Sequence, residues 1–293
     1  MIDTSTERRI NSGYLEIPES RIETAEQALR AVKRAYEVLG LSLPKFPKIT
    51  VDFREYKNDV EIKQRGRTEI ASHGVTIPFD KRLLEPEEEA LRVREMRKKG
   101  ETYPGVAQTL VHEIGHIGIW SIMGSERSPS SKRLLDEGFA SLIEHTGIAE
   151  STLEKLVLES KNEARATLNT DSEILTMFLD PEKTPDTGEE APNTNAAEYV
   201  LGRTFLLWIH EIKGSRTMTE MLKQTPSKIL MTQEGSNTEL NPDFKNYLDR
   251  NQKEVTLANA REWEGECFKQ AILDATGLST LKEVETEFRK WIT

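Results

Sequence analysis

One segment near the middle of the chain constrains its fold more than any other. Residues 109–116 read Thr-Leu-Val-His-Glu-Ile-Gly-His and lie inside a largely apolar stretch from residue 106 to residue 123. Side chains four residues apart on an α-helix project from one face about one turn apart, so His112 and His116 can reach a single metal ion. Glu113 can hold a water molecule at that ion and accept its proton. The spacing therefore predicts a helix over residues 106–123 that carries a metal site.

The composition narrows the kind of metal site. The chain has 293 residues, five histidines and a single cysteine, Cys267, which excludes an internal disulfide and a cysteine-rich metal site. Histidine and carboxylate ligands with one position open to water are typical of catalytic rather than structural zinc, so Zn²⁺ is the expected cofactor. The alternative is a helix with two hydrogen-bonded histidines and an incidental glutamate, because buried imidazoles need partners in any case.

The charge of the chain bears on its partners. Fifty acidic residues against 40 basic ones give a net charge of −10, whereas a protein that binds a phosphate backbone needs a clustered basic face. No apolar stretch is long enough to cross a membrane, and the first residues lack the apolar core of a signal peptide. We therefore expect a cytoplasmic protein with no nucleic-acid or membrane partner, and the sequence leaves its oligomeric state open.

The first third of the chain predicts one helix and a small sheet. Residues 1–20 read as irregular, and a capping box at residues 24–27 begins a helix that Gly40 ends. The charge-rich residues 85–100 predict a solvated helix, with a flap over a cleft as the alternative. Apolar alternation predicts strands at residues 49–53, near 60–62, near Ile70 and at 75–77.

From residue 106 onward the pattern is helical. The predicted helices cover residues 106–123, 134–145, 151–168, 173–179, 196–212, 217–223 and 281–291, with loops at 125–131 and 181–195. The expected fold class is α+β, with a small N-terminal α/β lobe (residues 1–105) that contains a mixed sheet and an edge strand. A mainly helical part (residues 106–293) follows, the two form one catalytic unit, and the zinc site is expected at their junction.

A second motif follows the two histidines. Residues 136–140 read Asp-Glu-Gly-Phe-Ala at the start of the second helix, and a helix, a loop and a returning helix would bring Glu137 within reach of the histidines. Because Glu137 is one of many glutamates, periodicity alone favours a surface role for it. In this order the two motifs resemble those of the gluzincin metallopeptidases, the peptidase MA-like group of thermolysin and aminopeptidase N. Relatives of aminopeptidase N have Asn where this chain has Asp136, and eighteen residues rather than twenty before the glutamate. The resemblance implies that Glu137 is the third zinc ligand, whereas Ile119 and Ile122 exclude the metzincin pattern.

A third motif agrees with that resemblance. Tyr199 and Gly202 form a Tyr-x-x-Gly segment at the head of an apolar helix, as in those enzymes. The resemblance implies that the Tyr199 hydroxyl stabilises the oxyanion that develops during hydrolysis, and helix packing is the alternative role. Arg203, one turn later, could contact a substrate carboxylate or carbonyl, although a salt bridge is the favoured interpretation.

The resemblance also bears on substrates. Residues 74–77, which include Gly74 and Val75, could form the edge strand to which an extended peptide adds. The Gly-x-Met-Glu-Asn segment with which aminopeptidase N relatives hold a free amine is missing before Val106, which favours an endopeptidase. We therefore expect a zinc peptidase whose partners are peptides or proteins. The alternatives are a regulatory protease that cuts one cytoplasmic protein, and a zinc-stabilised binding protein without catalysis.

Overall fold

The computed structural model describes residues 9–55, 69–71, 74–98, 105–123, 133–148, 152–170, 192–224, 230–232 and 238–293. The predicted strand near residues 60–62, the helix at 173–179 and the loop at 125–131 lie outside these ranges. The described residues form a mixed sheet near the N-terminus followed by a mostly helical remainder, which confirms the coarse α+β prediction. No helix among them is long and apolar enough to span a membrane.

The chain divides into two compact units that are interleaved along the sequence. The first contains the described residues of Met1–Val38, Ser42–Gly118 and Leu142–Thr152, and the second those of Leu39–Leu41, Ile119–Ser141 and Leu153–Thr293. The predicted division at residues 105 and 106, with the zinc site at that junction, stays a prediction.

The sheet of the first unit has five strands in the spatial order β1-β2-β3-β5-β4. Strands β2, β3 and β5 run parallel, and β1 and β4 are antiparallel to their neighbours, so the sheet is mixed as predicted. Its strands are β1 (Arg9–Ser12), β2 (Leu15–Pro18), β3 (Ile49–Arg54), β4 (Glu69–Ala71) and β5 (Gly74–Asp80).

The prediction that residues 1–20 are irregular is wrong for β1 and β2. The two strands pair as a hairpin whose turn contains Gly13 at a φ of 58°, a left-handed conformation that glycine adopts without steric cost. Leu15 and Ile17 are fully buried on alternate positions of β2. The alternation of Leu15 and Ile17 was the sequence signal for strand β2, but two residues are too few to distinguish a strand from irregular chain.

The prediction that residues 74–77 form an edge strand is wrong for residues 74–76. Strand β4 folds back on β5, so Val75 pairs with Ile49 on one side and with Ile70 on the other. The backbone of Val75 is therefore paired on both sides, and that of Gly74 is paired with Ala71 of β4. A peptide cannot add to the sheet there, because strand addition needs a row of free backbone groups.

Four helices lie between or directly after the strands of the sheet along the chain, and the last two carry the residues of the candidate site. They are α1 (Ile22–Val38), α2 (Pro86–Lys98), α3 (Val106–Met123) and α4 (Arg133–Ile148), and each confirms a predicted helix to within a few residues. Helix α1 turns a face of small residues inward, so it can pack closely. A Cβ on Gly147 of α4 would lie 2.4 Å from the backbone oxygen of Ala31, so α1 and α4 meet backbone to backbone there.

The helices of the second unit surround an aromatic core. Phe205, Trp208 and Phe288 lie with their ring centroids 5.5–5.6 Å apart. The helices are α5 (Leu153–Thr170), α6 (Pro192–Gln224), α7 (Pro242–Asn251), α8 (Leu257–Thr276) and α9 (Leu281–Ile292), together with a hairpin of β6 (Leu230–Thr232) and β7 (Thr238–Leu240).

Helix α6 differs from the prediction at its start and in its interior. Helix α6 begins at Pro192, so the predicted loop over residues 181–195 is wrong for its last four residues, since proline's fixed φ suits a first helical turn. Gly214, with φ 83° and ψ 167°, kinks α6 between the two predicted segments. Helices α7 and α8 were not predicted individually.

Candidate metal centre

Helix α3 brings two imidazoles and a carboxylate together. One potential ligand atom from each of His112, Glu113 and His116 lies within 4.8 Å of the others. The two imidazole ring centroids are 4.9 Å apart, with the ring planes at 84° to each other. The short distance between the imidazoles follows from their four-residue spacing on a helix, and it shows that the two side chains can converge on one point.

The site lies in a largely buried setting. Glu113 is 9% exposed and His116 is 8% exposed, and both stand among fully buried apolar residues of the same helix, including Leu110, Val111 and Ile114. A carboxylate in such surroundings is costly unless a positive charge or hydrogen bonds compensate for it. Two imidazole nitrogens are ligands that zinc prefers, and the adjacent carboxylate can hold a water molecule at the ion, so the residues fit a metal ion.

Glu144 of α4 contacts the first histidine. Its Oε2 atom lies 2.9 Å from His112 Nδ1, and its Oε1 atom accepts a hydrogen bond of 2.6 Å from Gln108 Nε2. A carboxylate that accepts from Nδ1–H leaves the Nε2 lone pair free to bind a metal, and it fixes the orientation of the ring. Glu144 therefore orients His112 instead of competing for the metal position.

The same contacts determine the charge of Glu144. Burial alone would raise the pKa of its carboxyl, but the hydrogen bond and charge of His112, with the amide of Gln108, hold the pKa below its usual value. Glu144 is therefore ionised at neutral pH. An ionised acceptor strengthens its bond to the imidazole N–H.

An ion pair caps the beginning of helix α3. Glu89 of α2 accepts a hydrogen bond of 2.6 Å from the backbone N–H of Val106, and its other oxygen lies 2.5 Å from Nη1 of Arg21. Arg21 is 1% exposed and also donates to the carbonyls of Leu83 and Leu84. The first N–H groups of a helix have no partner within the helix, so this carboxylate stabilises the start of α3.

Two hydrogen bonds join α3 and α4, one in each compact unit. In the first unit, Glu144 contacts His112. In the second unit, Trp120 Nε1 donates to Asp136 Oδ1 at 3.1 Å. Helices α3 and α4 therefore contact each other in both units.

Glu137 and Tyr199, the predicted third ligand and oxyanion donor, belong to the second unit, whereas the histidines belong to the first. Both roles therefore stay predictions. Within the second unit, the glycines beside these residues meet. A Cβ on Gly138 would lie 2.4 Å from the backbone of Gly202, and a Cβ on Gly202 would lie 2.1 Å from the carbonyl oxygen of Leu134. Helices α4 and α6 thus cross at a distance that only glycine permits.

Arg203 has the structural role that the sequence favoured. Its side chain is 2% exposed, and Nη2 lies 2.6 Å from Glu163 Oε2 in a salt bridge. Its other donors reach the hydroxyls of Ser160 and Ser141 at 3.2 and 3.3 Å. The guanidinium is thus buried among protein acceptors and ties α4, α5 and α6 together. Contact with a substrate, the alternative role, is not what this geometry supports.

Neither Gln108 nor Glu144 is among the site residues predicted from the sequence. A signal existed for Gln108, because it precedes His112 by four residues and so shares its helix face. Glu144 follows Glu137 by seven residues, two turns along one face of α4. Neither spacing is distinctive among the many polar residues of the chain, so only the packing of α3 on α4 identifies the pair.

The arrangement combines a convergent donor set, an oriented imidazole and a buried carboxylate that can accept a proton. These are the parts that metal-assisted hydrolysis requires from a protein. Comparisons with protein-family models, with curated proteins and with solved structures find no match to this chain.

Proposed function

We propose that this protein is a zinc-dependent peptidase of the gluzincin type that hydrolyses peptide bonds in peptides or proteins, with internal cleavage favoured. One observation carries the proposal. His112, Glu113 and His116 converge within 4.8 Å on a single, largely buried helix turn. Two further observations support it, namely the Glu144 carboxylate on His112 and the residue motifs shared with that family.

Each residue of the site would have a distinct role in hydrolysis. His112 and His116 hold the ion through their imidazole nitrogens, and Glu144 keeps His112 in the tautomer that can bind. A bound zinc ion would supply Lewis acidity, which lowers the pKa of water toward about 7. Glu113 accepts the proton of the attacking water and later delivers it to the leaving amine.

Glu137 is proposed as the third zinc ligand. It follows Asp136, the partner of Trp120, and lies two turns before Glu144, the partner of His112. The two hydrogen-bonded residues thus bracket Glu137 along α4. A carboxylate as third ligand would leave one zinc position open to water, as catalytic sites require.

Tyr199 is proposed as the donor to the developing oxyanion. Its helix, α6, crosses α4 at the Gly138–Gly202 contact, so the backbone holds the two helices in a fixed crossing. A phenol hydroxyl on such a rigid element is suited to stabilise negative charge, because it needs little reorganisation during the reaction.

The experiment compares the wild-type chain with Glu113→Gln. Zinc content would be measured by elemental analysis, and hydrolysis by digestion of casein and of a peptide library, with and without chelator. We expect one zinc per chain in both proteins, cleavage only by the wild type, and loss of cleavage in chelator that added zinc restores. Glu154→Gln is the matched control, because Glu154 is an exposed residue in the first turn of α5.

Three outcomes would decide against the proposal. Full activity of Glu113→Gln would contradict the role of this carboxylate. Zinc at one per chain with no cleavage of any peptide would favour a zinc-stabilised binding protein. Cleavage of one partner protein and of no generic peptide would favour the regulatory protease.

A further inference from the structure

Gln108 contacts the candidate site without belonging to its donor set. It lies on α3 one turn before His112, and its Nε2 atom donates to Glu144 Oε1 on α4 at 2.6 Å. This hydrogen bond joins two helices across 36 residues of sequence. It is therefore a tertiary contact and not a local feature of one helix surface.

The two contacts of Glu144 use both of its carboxylate oxygens. Oε1 accepts from Gln108 and Oε2 meets His112 Nδ1 at 2.9 Å. A carboxylate that is held at one oxygen can still rotate about its last torsion, which has a broad energy profile. Held at both oxygens, its plane is fixed, and so is the direction in which it meets the imidazole N–H.

We propose that Gln108 is a positioning residue for the metal centre, which acts through Glu144 to orient the His112 imidazole. The inference rests on the proposed function, because it assumes that His112 binds a metal through Nε2. Gln108 contributes a single N–H donor at a defined position. Without that donor, Glu144 can turn away from His112, the imidazole gains rotational freedom, and the metal site loses part of its preorganisation.

The chemistry of the contact explains why an amide suits this position. The Glu144 carboxylate is an acceptor at both oxygens, so its partners must donate, and the amide NH₂ does so without adding charge. A glutamate at position 108 would place a second carboxylate against Glu144. A methionine would keep the length of the side chain but provide no donor.

The chain offers a matched comparison in Gln270. Its Nε2 atom donates to Asp274 Oδ1 at 2.7 Å, but both residues are exposed and lie four residues apart on α8. Gln270 therefore makes the same type of bond, and that bond reaches no imidazole. Gln270→Met removes a glutamine–carboxylate contact of equal chemistry and serves as the control.

The experiment measures metal binding in the full chain without relying on turnover. The zinc dissociation constants of the wild type, Gln108→Met, Gln108→Ala and Gln270→Met would be determined by competition with a chromogenic chelator. We expect both Gln108 variants to bind zinc about tenfold more weakly, at the lower end of what outer partners of metal ligands contribute, and Gln270→Met to equal the wild type. Cobalt(II) spectra should change in the Gln108 variants alone. Thermal unfolding of the metal-free proteins would show that all four fold.

The outcomes separate this inference from the proposed function. If the wild type binds zinc at one per chain and both Gln108 variants bind it equally tightly with unchanged cobalt spectra, the inference is wrong and the proposed function stands. If the wild type binds no zinc, the proposed function fails. Nitrogen-15 NMR of His112 in the metal-free proteins at mildly alkaline pH then decides. A wild-type ring in the Nδ1–H tautomer that becomes a mixture in Gln108→Met supports the part of the inference that Gln108 orients the His112 ring through Glu144, and identical spectra overturn it.

Discussion

His112 and His116 are placed so that both can bind one metal ion. The imidazoles lie on one face of α3 with their centroids 4.9 Å apart, and the neighbouring positions of the helix are apolar and buried. Glu113 lies on the same turn of α3. At this scale the chemistry depends on single side chains, and single substitutions test it.

Replacement of Glu137 with alanine should weaken zinc binding, because the carboxylate is the proposed third ligand. We expect the zinc dissociation constant to rise by more than the roughly 10- to 100-fold effect of an outer partner. Equilibrium dialysis against a zinc buffer measures this constant. Glu154→Ala, an exposed glutamate on α5, should leave the constant unchanged. Unaltered zinc affinity in Glu137→Ala would mean that the third ligand lies elsewhere.

Removal of the Tyr199 hydroxyl by Tyr199→Phe should slow catalysis without affecting the metal. If the phenol stabilises the oxyanion, kcat should fall by about a hundredfold while KM and zinc content stay near the wild-type values. Steady-state kinetics on a cleavable peptide provides both constants. A rise in KM with an unchanged kcat would instead assign Tyr199 to substrate binding, and no change would indicate a packing role.

The packing of helices against one another determines the positions of the proposed site residues on α4 and α6. Helix α4 meets α1 at Gly147 and meets α6 at Gly138, and both contacts bring backbone against backbone. At Gly138 and Gly202 two helices cross closely, which explains why glycine follows Glu137 directly and follows Tyr199 by three residues. The glycines of these two motifs have a packing role in the structure.

Gly202→Ala should therefore destabilise the protein. A methyl group there would lie 2.1 Å from the carbonyl oxygen of Leu134, so α4 and α6 would have to separate. We expect a loss of about 2–3 kcal/mol in the free energy of unfolding, even though alanine favours helix by about 1 kcal/mol over glycine. Urea denaturation measures the change. Asn162→Ala, at an exposed position of α5, should show a small gain from helix propensity alone. A stabilised Gly202→Ala would contradict the close crossing.

Glu89→Ala should weaken the attachment of α2 to α3. The change removes the acceptor for the Val106 N–H and leaves the buried Arg21 without its carboxylate partner. Because Arg21 keeps its bonds to the Leu83 and Leu84 carbonyls, we expect a loss of about 2–3 kcal/mol, below the full cost of an orphaned buried charge. Guanidinium denaturation would measure it. Glu88→Ala, the exposed neighbour, should have little effect.

At the scale of the whole molecule, each compact unit has its own core. The first is built on the five-stranded sheet, with Ile49, Val51 and Ile77 fully buried. The second is helical and contains a separate cluster around Phe244 and Trp263. A ligand that binds only the folded chain stabilises it by mass action, so metal binding is visible in global stability as well as in activity.

Zinc should raise the unfolding temperature of the metal-free protein. At a free zinc concentration about 100 times the dissociation constant, the stabilisation is about 2.7 kcal/mol. Differential scanning fluorimetry with zinc, with magnesium and with excess chelator would measure the shift. We expect an increase with zinc alone, and no increase in His116→Ala. An equal shift in wild type and His116→Ala would place the bound zinc at another site.

Local features of the sequence were sufficient to predict much of the fold. The helix over residues 106–123 agrees with α3 at both ends, because a run of apolar residues around a four-residue histidine spacing is a local property of the chain. The closing helix agrees for a similar reason, since Thr280 and Glu283 form a capping box at its start. The convergence of His112, Glu113 and His116 follows directly from helix geometry.

Only the tertiary structure decided the rest, because the remaining contacts join residues that are distant in the chain. Strand β4 covers β5 at Gly74 and Val75, the Glu144 carboxylate reaches His112 across 32 residues, and α4 crosses α6 at two glycines. Periodicity shows which face of an element is apolar but not which partner covers it. The sequence thus determined the histidine pair and its register on α3. Packing decided which carboxylate orients His112 and which helices contact α3 and α4.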